Sequence, residues 1–353
     1  MNSLPRGAWP LLSFLLLSAL AAHGQHLAVP EHGVYVGAYL SRGDTEDQIT
    51  PAMLCDFETL VGRRQAIIAF SSFWGEKTFP EAQVGMIRAY GAVPLIYWSP
   101  WGPPYRQNES QPEYALDRIL EGHFDAYVRD WATRARATHL PLLVAFGLEA
   151  NGDWFPWGGP HQGGGQTQEF GQSKKPDGPE RYVAAYRHVV ALARAAGARN
   201  IAWVYHAQNF SWPVAPWNTI AAYYPGDDVV DWLGLSVYGK QSNKEGWLTF
   251  DTVMKMPYGE IVRLHPNKPV MLAEWGVGEF PREGSKAVFF DEAFAAMTKK
   301  YPRLRAAIYW HERWQNADET WSNLRVDSSP KSLAAFRRGM RLPFWIDRPV
   351  ILP

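Results

Sequence analysis

Two glutamates carry the strongest chemical signal in the chain. Glu149 stands in LLVAFGLEANGDWFPWGG (142–159), where an apolar run breaks into Asn, Gly, Trp and Pro. Glu274 stands in KPVMLAEWGVG (268–278), again at the end of an apolar run, with Trp275 beside it. Two carboxyl groups facing one bound molecule suit cleavage of a glycosidic bond. One protonates the leaving oxygen while the other attacks the anomeric carbon or activates a water. Neighbouring indoles suit the same ligand, because a pyranose offers an apolar CH face to an aromatic ring. Retention of configuration needs the pair about 5–5.5 Å apart, and inversion needs more.

For these residues to meet, the elements carrying them must converge. Eight short apolar segments qualify as strands: 34–40, 66–70, 93–98, 142–147, 201–206, 232–238, 270–274 and 306–310. Each is apolar throughout rather than alternating, as in parallel strands covered on both faces. Helical periodicity lies between them, at roughly 50–63, 81–90, 251–264, 286–300 and 330–340. Two further stripes occur, Phe124, Tyr127, Val128 and Trp131, then Tyr182, Tyr186, Val189 and Ala193. Strand and helix alternating without a linker predict a single α/β domain, a (β/α)8 TIM barrel. A doubly wound open sheet would alternate likewise, but no Gly-rich phosphate turn follows the first strand. In a barrel, Glu149 after strand four and Glu274 ending strand seven open into the same mouth. His206, ending strand five, is a candidate to line it.

Composition narrows the partners. Lys+Arg and Asp+Glu are 35 each, a balance that argues against a nucleic-acid partner. No zinc-type His pairing and no Gly-x-Ser-x-Gly elbow occurs, so neither a metal site nor a cofactor nor acyl transfer is expected. Nothing in the chain implies an oligomeric partner. Residues 1–24 read as a cleaved signal peptide: Arg6, then LLSFLLLSALAA, then Ala22-His23-Gly24 before Gln25. The apolar run is short of the roughly 20 residues a bilayer needs. The expectation is therefore a secreted or periplasmic protein, bacterial in style, with one catalytic domain over 25–353. The single cysteine, Cys55 in MLCDFETLV, reads as a small core residue on a buried helical face.

The stretch LEANGDWFPWGG resembles the acid/base motif of glycoside hydrolase family 26, in which Glu is followed by x-Asn-Gly, then Trp and a Trp-Gly pair. The similarity continues in family order through PERYVAAYRHVVALARAAGARNIAWVYHAQN, DWLGLSVYG, KPVMLAEWG and NLRVDSSPKSLAAFRRG, over roughly residues 33 to 345. The resemblance implies a retaining (β/α)8 enzyme acting on a polysaccharide. Most members are β-mannanases, with some mixed-linkage β-glucanases and β-1,3-xylanases. It implies Glu149 as acid/base and Glu274 as nucleophile. It further implies sugar contacts from Asn151, a subsite aromatic in Trp154, a hydrogen bond from Tyr238 to the nucleophile, and a floor made by Trp310. Trp275, beside the nucleophile, joins the expected binding aromatics. Two positions depart from the pattern, since members commonly place His before the acid/base and Met after it, where this chain has Leu148 and Ala150. His311-Glu312-Arg313 also follows strand eight, and Glu312 reads as a binding or salt-bridge carboxylate.

Overall fold

The computed structural model describes residues 24–41, 49–316 and 318–353. The signal peptide expected over 1–24 lies, but for Gly24, outside the described residues. Among those described, no helix is long and apolar enough to cross a membrane.

Eight parallel strands close on themselves: β1 Val34–Leu40, β2 Ile67–Phe73, β3 Val93–Ser99, β4 Leu142–Phe146, β5 Ile201–Gln208, β6 Trp232–Tyr238, β7 Val270–Gly276 and β8 Leu304–His311. Each pairs with the next, and β8 pairs with β1 over six residues from Tyr35↔Ala306 to Leu40↔His311. That ring is the TIM barrel. Every residue of β1, β3, β4 and β7 is buried, which is why those segments are apolar in both directions.

The helices are α1 Pro51–Val61, α2 Glu81–Tyr90, α3 Leu116–Leu120, α4 Asp125–Ala137, α5 Asp177–Ala195, α6 Phe250–Ile261, α7 Lys286–Lys299 and α8 Pro330–Met340. Four begin on a hydroxyl cap. Thr50, Thr249, Ser285 and Ser329 accept from the backbone N–H of Met53, Thr252, Val288 and Ser332, satisfying one otherwise orphaned donor each. The β5–β6 connection departs from the ideal pattern. It carries only a 3-10 turn, Ile220–Tyr223, where the other crossovers carry an α-helix.

Core packing uses much of the aromatic content. Trp98 on β3 stacks on Trp131 of α4 with centroids 4.1 Å apart, and Trp74, Trp157, Trp203 and Trp232 are also fully buried. The reading of Cys55 does not hold, because the thiol is exposed. On α1 the buried positions are Met53, Leu54, Phe57 and Val61, and one further residue of rotation turns Cys55 outward. A hairpin, β9 Arg313–Gln315 with β10 Trp321–Asn323, stands on the loop after β8 at the site end of the barrel.

Candidate active site

Beyond Phe146 the chain turns sharply. Gly147 and Glu149 both take left-handed backbone angles, φ 56° and 55°. Glycine adopts that conformation without penalty. Glutamate rarely does, and such strain of about 1–3 kcal/mol persists only where the surroundings over-determine it. Here they do: the Glu149 N–H donates to His206 O at 2.8 Å, Gly152 N–H to Glu149 O at 2.9 Å, and the Trp157 indole to Leu148 O at 2.7 Å. Trp154 then folds back, its indole N–H donating to Glu149 Oε2 at 2.7 Å. Gly152 makes room for that ring, since a Cβ there would lie 2.2 Å from it.

Glu274 reaches the same space through a bulge. Along β6 and β7 the register runs Gly234↔Met271 and Leu235↔Leu272, then jumps to Ser236↔Glu274. The extra residue is Ala273, whose carbonyl accepts the Tyr97 hydroxyl at 2.7 Å. Bulges re-aim side chains beside active sites, and this one precedes Glu274. Tyr238 on β6 donates its hydroxyl to Glu274 Oε2 at 2.7 Å.

The two carboxyls meet. Ligand atoms of Glu149, His206 and Glu274 all lie within 4.8 Å of one another, and the three residues are 6%, 0% and 5% exposed. Burial raises the Glu149 pKa, and hydrogen bonds from Ser236 and Trp154 partly offset that rise. Burial pushes the His206 imidazole down to about 3, so it is neutral through the ordinary pH range. Tyr97 and Tyr238 are driven well above the usual phenol range by burial first and by the nearby glutamates second, so both stay hydroxyl donors. The same three side chains could also share a cation by spacing. The donors aimed at both carboxyls, Trp154 and Tyr238, serve an ion-free pair equally.

A carboxyl with a raised folded pKa costs stability on ionisation. Below the ordinary glutamate pKa it is neutral in both states. As pH rises, the unfolded chain ionises first, so the fold loses stability until pH passes the raised value. Glu149→Gln is therefore expected to melt a few degrees higher than wild type at pH 7, with the gap closing toward pH 4, at roughly 2–4 °C per kcal/mol. Melting curves at the two pH values check this; an equal gap at both would contradict it.

Trp310 on β8 is half-buried and lies flat on Tyr39 of β1, with centroids 3.6 Å apart and planes 1° apart. Its indole donates to Glu312 Oε2 at 2.8 Å, so the third carboxylate near the mouth holds a ring in place. Two expected contacts stand elsewhere. Trp275 is 1% exposed and packs on the helix side against Phe290, Phe294, Tyr309 and Phe336, because strand alternation turns the neighbour of an inward Glu274 outward. Asn151 is 1% exposed, with its amide committed to Gln208 O, Ser211 Oγ and Gln208 N. It stitches the β4 loop to the β5 loop rather than meeting sugar. Leu148 and Ala150 are likewise buried, at 6% and 2%.

Residues that sequence reasoning passed over complete the site. Tyr97 sits behind both carboxyls. Ser236 lies 2.7 Å from His206 Nε2, and its signal was available: a serine in the buried run of WLGLSVY must have a partner. Phe210 and Trp212, 53% and 50% exposed, stand on the loop after β5, and Trp212 N–H donates to Asn151 O at 2.9 Å.

A family model described as glycosyl hydrolase family 26 matches residues 106–290, just over half of the chain. Endoglucanase H of Acetivibrio thermocellus is 29% identical over 336 residues, covering 94% of this chain and 33% of that protein. Beta-1,3-xylanase TXYA of a Vibrio species is 27% identical over 244 residues, covering 61% of this chain and 46% of that protein. The chain thus spans a third to under a half of these relatives. Among solved structures, a Bacillus subtilis mannanase superposes with a TM-score of 0.58 at 19% identity, covering 90% of this chain and 87% of the other. The GH26C protein of a Muricauda species gives 0.62 at 18%, with the same coverage. These likenesses concern the barrel itself.

Proposed function

The chain belongs to glycosyl hydrolase family 26, and from that premise we propose that it hydrolyses internal β-linkages of a polysaccharide with retention of configuration. One observation carries the reading: two buried carboxyls whose oxygens approach within 4.8 Å, the close spacing of a retaining pair. Glu274, oriented by Tyr238, attacks the anomeric carbon while Glu149 gives its proton to the departing oxygen, leaving a glycosyl-enzyme ester. Glu149, now ionised, takes a proton from water, the hydroxide adds to the anomeric carbon, and Glu274 is released. Burial suits Glu149 to the first step, since it keeps the acid form at higher pH than an exposed glutamate would. Trp154 and Trp310 offer faces for the sugars flanking the cut. Residues 1–24 direct export, and 25–353 form the working domain.

β-1,4-Mannan is the lead substrate, from the commonest activity of the family. A mixed-linkage β-glucan, a β-1,3-xylan or an exopolysaccharide is the second reading, because Leu148 stands in the usual His position, and the similarity to an endoglucanase over most of the chain leans it toward the glucan. Reducing-end release from mannan, glucomannan, mixed-linkage glucan, β-1,3-xylan and cellulose separates them. Activity on mannan above all others is expected. Preference for mixed-linkage glucan would transfer the assignment, and silence on every polymer with glycan binding intact would leave a binding barrel.

A further inference from the structure

Three apolar side chains crowd the surface just past β5. Phe210, Trp212 and Val214 are 53%, 50% and 82% exposed, all within five residues of one loop. Among the described residues, the other exposed Trp or Phe is Trp321 on the β9–β10 hairpin, and Arg313 lies over its ring. A single apolar residue at the surface is ordinary, whereas a contiguous patch marks a place where something binds.

That loop is held firmly. Asn151 on the β4 loop donates Nδ2 to Ser211 Oγ at 3.1 Å, and its carbonyl accepts the Trp212 N–H at 2.9 Å. Asn218 donates Nδ2 to Asn151 O at 3.1 Å and to Pro213 O at 2.9 Å, while its Oδ1 accepts the Tyr223 hydroxyl at 2.7 Å. Trp217 packs on the glycine run of the β4 loop, where a Cβ on Gly165 would lie 2.6 Å from the indole. Ser211 and Pro213 thus spend polar atoms on the fold, and the apolar residues alternating with them stay in solvent. A surface fixed in advance binds without the cost of ordering itself.

The anchoring also gives a direction. Asn151 stands two residues past Glu149, so the β5 loop is tied to the acid/base loop itself. Trp310, the floor expected for the reacting sugar, lies on β8, four strands from β4 in the closed ring. A glycan that leaves Trp310 and passes Glu149 exits the mouth over β4 and its neighbour β5.

We propose that Phe210 and Trp212 form a stacking platform for sugars on the leaving-group side of the cut. This rests on the hydrolase reading of Glu149 and Glu274. The ligand is a neutral β-glycan, whose pyranose CH faces meet the two rings. Residues 207–226 contain no Asp, Glu, Lys, Arg or His, so the loop offers nothing to an anionic polymer or to a charged protein surface. The platform holds sugars beyond the scissile bond and touches no reacting atom.

The test compares Phe210→Ala, Trp212→Ala, the double variant and Trp212→Tyr. Each alters a half-exposed side chain, so the fold should stand. One substrate is galactomannan or mixed-linkage glucan, whichever the wild type cleaves. The other is the dinitrophenyl glycoside of the matching disaccharide, which places no sugar past Glu149. The double variant is expected to raise KM on the polymer about tenfold with kcat within twofold, the scale of a truncated aromatic contact. On the aryl substrate kcat/KM should change less than twofold, and Trp212→Tyr should recover most of the polymer loss. Electrophoresis in gels holding either polymer, with Glu274→Ala as the background, reads binding without turnover and should show the same weakening. An unmoved polymer KM would overturn the platform, and an equal loss on the aryl substrate would overturn its place on the leaving-group side. A wild-type dimer in sedimentation that Trp212→Ala splits, with polymer affinity unmoved, would make the patch an interface between copies and overturn the proposal. Weakened gel binding in protein that cleaves no polymer would support a glycan platform and overturn the hydrolase reading instead.

Discussion

Glu274→Ala is expected to lose activity by a factor on the order of 10⁴ or more, the scale seen when an enzyme loses its nucleophile. No neighbouring group can take its place. Tyr238 and Tyr97 are held as neutral hydroxyls, and Glu149 is turned to the indole of Trp154. The variant should fold, because deleting a carboxyl that is 5% exposed removes a buried charge rather than a packing element. The informative measurement adds azide to the variant with an activated β-glycoside. Azide entering the space left by Glu274 attacks the face opposite the leaving group and gives the α-glycosyl azide. A β-azide from this variant would exchange the two assigned roles, and unchanged hydrolysis would remove Glu274 from the chemistry.

Glu149→Ala is expected to lose about 10²–10⁴-fold on a polymer, the usual contribution of a general acid. The loss should depend on the leaving group. A polymer leaves as a strongly basic alkoxide that needs the proton, whereas a dinitrophenolate leaves without one. Glycosylation by a dinitrophenyl glycoside should therefore be little changed, the glycosyl-enzyme should accumulate, and azide should release the β-glycosyl azide. The pH profile carries the sign. Wild-type activity should fall as pH rises through the Glu149 pKa, which burial has raised above the ordinary glutamate value. In the variant that alkaline limb should vanish. An equal loss on both leaving groups, or a surviving limb, would place the acid elsewhere.

Much of this architecture is legible before any coordinates. Segments apolar in both directions announced the barrel strands, because a parallel strand covered on two faces admits no polar alternation. Trp154, Tyr238 and Trp310 were marked by motif, and each lies where a carboxyl is oriented or where a ring is braced. Trp275, Asn151 and Cys55 were misjudged for one shared reason: residue type was legible but direction was not. An indole beside a glutamate suggests a binding face, yet in a strand the neighbour of an inward side chain points outward.

The sequence by itself determined the eight barrel strands and most of the helices between them, the placement of Glu149 and Glu274 at strand ends, and the family. Those depend on local composition and spacing. Only the tertiary structure decided which atoms meet. The bulge at Ala273, the left-handed turn at Glu149, and the contact of His206 with Ser236 each depend on how neighbouring barrel strands are set against one another. A shift of one residue in that register would turn Glu274 into the helical layer and Trp275 into the mouth, with no change in the letters.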